Sequence, residues 1–118
     1  FTVSASMSGS TIVDYVIAGS KVTDSSTLPD EAVKVYLTSI SSNREREVVA
    51  PTKISELQST NNISYVPNGQ YVILQDNFRE TGSRSYRLRM WIASDYVLPE
   101  TESLSYALRI NVYGNMSA

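Results

Sequence analysis

Any chemistry in this chain must come from carboxylates, hydroxyls, phenols and three lysines, because it contains neither histidine nor cysteine. That removes imidazole bases, thiolate nucleophiles, disulfides and haem ligation. Zinc would need an all-carboxylate shell, an uncommon donor set. Calcium could use Asp24, Asp30 or Asp95 with backbone carbonyls. Aspartate is also the ordinary residue of turns, and that is how these three are read. The five glycines stand alone along the chain, so no phosphate-cradling loop can be assembled. A serine nucleophile would need a lysine base, and Ser20 and Lys21 are merely neighbours. Paired carboxylates for glycoside hydrolysis would have to be Asp14 and Glu102, which nothing in the spacing brings together. The expectation is therefore a protein with no catalytic residue, metal or cofactor, and not an enzyme.

Three further groupings carry weight as interaction or cross-linking candidates. Lys34 and Asn111 are the residue types of an intramolecular isopeptide bond, but both fall on the less apolar side of their segments and read as surface residues. Leu98, Pro99, Glu100, Thr101 and Glu102 resemble a cell-wall sorting signal, with Glu102 where glycine is required, and read as a loop. Arg87, Arg89, Trp91, Arg109 and Tyr113 project from the polar sides of two late segments. Arginine beside tryptophan and tyrosine is a composition enriched at interfaces and suited to cation–π contact. These five form the expected interaction face, for a glycan or a protein.

The elements that would position such residues are strands. The 118 residues are 42% hydrophobic and 19% charged, with ten basic against twelve acidic residues and a net charge of -2. This suits a single globular domain spanning 1–118. It offers no electrostatic footprint for nucleic acid, and no apolar run is long enough to imply membrane insertion. Apolar residues recur with period two almost throughout, the strand signature. Strands are expected at residues 1–8, 11–18, 32–40, 71–75, 83–94 and 103–113. Residues 41–47 read as a polar connection. Val48 and Val49 read as a short strand stopped by Pro51, and residues 52–57 as one helical turn. Residues 62–75, with Pro67, Asn68 and Gly69 at their centre, read as a hairpin. The last two strands read as an antiparallel pair. Leu88, Met90, Ile92, Leu108, Ile110 and Val112 should then be buried together, near Val33, Val35 and Leu37.

Six to eight short strands predict an all-β, antiparallel two-sheet sandwich of jelly-roll or immunoglobulin-like type, with a small β-barrel as the alternative. About a quarter of the residues are Ser or Thr, and lysine occurs only at 21, 34 and 53. Together with a chain beginning at Phe1 rather than methionine, this predicts an extracellular or cell-surface protein whose signal peptide has been removed.

Residues 86–92 (YRLRMWI), 106–114 (YALRINVYG) and the opening FTVSA resemble exported Gram-positive β-sandwich surface proteins of the TasA/camelysin-like fibre-subunit type. The resemblance implies a structural, self-associating protein. Residues 1–8 place Phe1, Val3, Ala5 and Met7 on one side and hydroxyls on the other. The first functional expectation is a homopolymer in which this strand is donated to the next subunit. The alternative is a monomeric surface binding module or adhesin domain using the face around Trp91, and it takes precedence if residues 1–8 pair within their own sandwich.

Overall fold

The computed structural model describes residues 1–9, 11–98 and 104–117. Seven strands form two antiparallel sheets, as the period-two pattern requires: β1 (Thr2–Ala5), β2 (Ile12–Lys21), β3 (Val33–Ser41), β4 (Arg44–Lys53), β5 (Tyr71–Phe78), β6 (Gly82–Ile92) and β7 (Leu108–Ser117). One sheet has the order β1-β6-β3-β4 and the other β5-β2-β7. Among the described residues the two sheets are separate and do not close on each other, so the architecture is the sandwich and not the barrel. In a seven-strand immunoglobulin sandwich the first strand joins the sheet of the second, and the last strand flanks the sixth. Here those terminal strands have exchanged sheets: β1 flanks β6, and β7 flanks β2.

The core follows from which strands are covered on both sides. Tyr15 and Ile17 of β2 point between the sheets and join Val3, Leu37, Ile73, Phe78 and Tyr86. Val16 and Ala18, on the other side of β2, are buried under Val66 with Ile63, Tyr65 and Tyr113 packed around them. A strand covered on both faces needs a nearly continuous apolar run, which is what IVDYVIA supplies. Each fully buried side chain of this size contributes about 1.5–3 kcal/mol. A second cluster, Leu28, Ala32, Val33, Val35 and Ile54, closes one end.

Several expectations require correction. β6 and β7 do not pair; they lie in opposite sheets. Alternation fixes which side of a strand is apolar but not which sheet it joins. Residues 41–47 are not a connection. Ser42 and Asn43 both have positive φ, as a two-residue type I′ hairpin demands, and β4 starts at Arg44. Pro51 does not stop β4, because β4 is an edge strand and the missing N–H is not needed there; the register against β3 is irregular at that point. Residues 63–66 form no strand, so residues 62–75 are not a hairpin. β5 pairs with β2 instead, and residues 63–66 form the lid over Val16 and Ala18. The helical turn appears as a 3-10 turn at Ile54–Glu56.

The expected core is only half realised. Val33, Val35 and Leu37 are buried. Leu88, Leu108 and Ile110 pack on the core but are half-buried. Met90, Ile92 and Val112 stand 39%, 41% and 43% exposed. The N-terminal strand is not without a partner. β1 pairs with β6, from Thr2 opposite Ser85 to Ala5 opposite Gly82, and Val3 is 7% exposed within its own core. Pro99 to Glu102, and with them the sorting-signal resemblance and the Glu102 candidate, lie outside the described residues.

Candidate functional site

The outward side of the four-stranded sheet carries the site. On β3, Val33, Val35 and Leu37 point inward, so Lys34, Tyr36 and Thr38 point out. On β6, Tyr86 and Leu88 point inward, so Arg87, Arg89 and Trp91 point out. Register then places Lys34 opposite Trp91, Tyr36 opposite Arg89 and Thr38 opposite Arg87. Cross-strand neighbours of this kind touch on the sheet surface.

Trp91 is 40% exposed. Its ring meets Tyr36 edge-on, with centroids 6.2 Å apart at 64°, and the Arg89 guanidinium lies 6.0 Å from the Tyr36 centroid. Beside this aromatic pair, Glu45 gathers both arginines. Arg89 donates to its two carboxylate oxygens at 2.9 and 3.4 Å, Arg87 to both at 3.4 Å, and Thr38 Oγ1 donates at 2.6 Å. The hydrogen bonds from Arg89 and then Thr38 hold the Glu45 carboxyl below its usual range. Glu47, opposite Thr38 on the neighbouring strand, adds a second carboxylate to the same side of the sheet. At its end, Lys53 donates to Asp95 at 2.7 Å, which raises the lysine and lowers the carboxyl.

The five residues expected to form one face are divided. Arg87, Arg89 and Trp91 share the surface just described. Arg109 and Tyr113 lie on β7, in the other sheet. The Tyr113 hydroxyl accepts from Gln70 Nε2 at 2.8 Å, and its ring packs beneath residues 63–66. Of the strand expected as a donor, Val3, Ala5 and Met7 pack on the chain's own core, and Phe1 stacks on Tyr86 with centroids 5.7 Å apart. Asn111 donates to Ser20 and Gln70 in the second sheet, on a different sheet from Lys34. Among the described residues no group of three or more acidic side chains is gathered as a metal site would require.

Two polar hubs were not visible in the sequence. Asp30 accepts from Lys21 at 3.0 Å, from Tyr106 at 2.9 Å and from the Tyr71 hydroxyl. Partial burial pushes its carboxyl up, but the bonds from Tyr71, Lys21 and Tyr106 outweigh that and leave it lowered. Burial and the bond to Asp30 push Tyr71 up to about 12. The second hub joins the two sheets: Tyr15 and Tyr86 share a hydroxyl bond of 2.5 Å, and Arg84 donates to Tyr15 at 3.0 Å while lying 4.3 Å from the Phe78 centroid. The partners of both hubs are far apart in sequence, so no local motif announces them. Both hubs are saturated with protein partners, whereas the Trp91 surface is open.

No protein-family model matches this chain, and neither does any curated protein or solved structure.

Proposed function

We propose that this domain is a non-catalytic extracellular binding module that recognises a protein partner through the Trp91 end of its four-stranded sheet. The observation that carries the reading is the 40% exposed ring of Trp91, packed edge-on against Tyr36 and sharing one side of the sheet with Arg87 and Arg89. Tryptophan, tyrosine and arginine are the residues that dominate binding energy at protein interfaces. The edge-on packing of Trp91 against Tyr36 favours a protein over a glycan, because it forms a corner rather than a flat stacking platform. Hydroxyl-rich composition with only three lysines supports the extracellular setting. Filament formation by donation of β1 is not the reading adopted, since that strand already satisfies β6 and fills its own core.

The test uses the single tryptophan of the chain as its reporter. The purified protein is screened against arrays of extracellular proteins and of glycans, and hits are titrated by Trp91 fluorescence. A protein ligand should shift the emission, and Trp91→Ala should weaken its binding at least ~10-fold with the fold retained. Binding to glycans alone would replace the protein partner with a sugar. Binding that ignores both Trp91→Ala and Arg89→Ala would place the site elsewhere.

A further inference from the structure

Residues 59–70 are held shut by two neighbouring side chains. Thr60, 0% exposed, donates its hydroxyl to the Pro67 carbonyl at 2.7 Å and accepts from the Gln70 N–H at 3.1 Å. One hydroxyl thus bridges both ends of the turn formed by Pro67, Asn68, Gly69 and Gln70. The Thr60 N–H donates to the Gln70 carbonyl at 3.0 Å. Asn61 Oδ1 accepts the Gly69 N–H at 2.8 Å. Gly69 has φ +84, the value a type II turn requires at its third residue. The turn sits between two anchors of the lid: Val66 is buried with Val16 and Ala18, and Gln70 bonds to Tyr113 and Asn111.

Asn68 is the only one of the seven asparagines that is followed by glycine. The backbone nitrogen of the next residue can displace an asparagine amide, and a side chain on that residue obstructs the approach. Here Asn68 is exposed, and a Cβ built at Gly69 meets nothing within 4 Å. The pair is open to water. What withholds the Gly69 nitrogen is its hydrogen bond to Asn61, not burial. Attack needs that nitrogen to lose its proton and swing towards Asn68 Cγ. A bond that holds the neutral N–H in place opposes both.

We infer that Asn68 is a self-modification site that the fold keeps latent and that converts when the lid opens. In the open turn the Gly69 nitrogen gives its proton to hydroxide and attacks Asn68 Cγ. The N–Cγ bond forms, the Cγ–Nδ2 bond breaks, and Nδ2 takes a proton from water and leaves as ammonia. Water then opens the five-membered imide at one carbonyl or the other. One product is aspartate. The other is isoaspartate, in which the chain runs through the former side chain and is one methylene longer. The net change is one water taken up and one ammonia released. An isoaspartyl turn cannot keep both the Pro67 carbonyl and the Gln70 N–H on the Thr60 hydroxyl, and either product adds a negative charge. The conversion does not reverse, so it records openings of the lid. Asn61 is a positioning residue that acts through Gly69. The site stands independently of the recognition proposed at Trp91.

The experiment incubates the full chain and a synthetic peptide of residues 63–73 side by side in mildly alkaline buffer. Both are followed by peptide mapping with mass spectrometry and an isoaspartate assay. The folded chain should convert at least ~10-fold more slowly than the peptide, because the turn must first open. Asn61→Ala should speed conversion at least ~5-fold, the worth of one hydrogen bond. Asn61→Asp, which keeps an acceptor towards Gly69, should stay slow. The unaltered chain in urea below its unfolding midpoint gives a second reading that needs no variant, and its rate should climb as the lid opens. Isoaspartyl chain, separated by its added charge, should unfold at lower urea than the unconverted chain. It should also exchange faster at Val66 and Val72, whose N–H groups are bonded to Ile63 and Gln58. Conversion of the folded chain at the peptide's rate, a rate unmoved by Asn61→Ala, equal acceleration by Asn61→Ala and Asn61→Asp, or isoaspartyl protein as stable as the original would each overturn the proposal.

Discussion

Tyr15 and Tyr86 meet hydroxyl to hydroxyl at 2.5 Å across the interior, one from each sheet. This bond ties β2 to β6 inside an otherwise apolar layer. Arg84 adds a further donor to Tyr15 at 3.0 Å and is itself paired with Asp76 at 3.2 Å. Tyr15→Phe removes the partner of Tyr86 and the acceptor of Arg84 together. It should cost about 1–3 kcal/mol, the penalty for stranding buried polar groups. Tyr86→Phe leaves Tyr15 bonded to Arg84 and should cost less, about 1 kcal/mol. Urea unfolding of the two variants checks the order.

β1 should behave as part of the fold. Val3→Ala removes two methyl groups from a buried site and should destabilise by about 2 kcal/mol. Deleting residues 1–8 should leave a destabilised protein in which residues 82–86 lose their pairing strand and become prone to aggregate. Full-length protein that forms filaments in electron micrographs, with the deletion abolishing them, would restore strand donation as the role of this segment.

Gly19 is held to glycine by its neighbour. A Cβ built there lies 2.8 Å from Leu108 Cδ2, so Gly19→Ala pushes β7 away from β2 or forces Leu108 out of its rotamer. Overpacking of this kind should cost about 1–3 kcal/mol. Thermal unfolding measures it, and Leu108→Ala in the same background should recover part of the loss.

Asp30 predicts how stability depends on acid. Its folded carboxyl is lowered, so the stability it contributes is present above the unfolded value of about 4 and is lost as pH falls through the folded value. Asp30→Asn should flatten the acid limb of the stability curve. Tyr71 acts at the other end: raised to about 12, it contributes stability that is lost as pH rises from about 10 towards that value. Tyr71→Phe should remove that alkaline loss. Denaturant midpoints measured across pH separate the two limbs.

How much of this was legible depended on what each strand buries. β2 and β3 were clear because their apolar residues are covered, on both faces of β2 and on one face of β3. β4 was hidden because its alternation is of charges on an exposed edge, where burial imposes no apolar pattern. Met90, Ile92 and Val112 have the alternation of core residues and were read as such. Sequence pattern reports which side chains face the interlayer space, but not whether a neighbouring strand is present to cover them. Trp91, Arg87 and Arg89 lie on one side of β6 because strand alternation alone sets them there. Arg109 and Tyr113 lie apart from them in the other sheet, a placement hidden in the sequence because the pattern of β7 is the same whichever sheet it joins.

The Trp91 end of the four-stranded sheet is where this domain is proposed to meet a protein partner. Residue-resolved amide hydrogen exchange on dilute protein tests it most directly. Slow exchange is expected at Tyr86 and Ala93, whose N–H groups are bonded to Phe1 and Ala32. At Leu88 to Ile92, around the Trp91 surface, exchange should slow when a protein partner is added. Exchange at these residues that is unchanged by a bound partner would contradict the proposed surface.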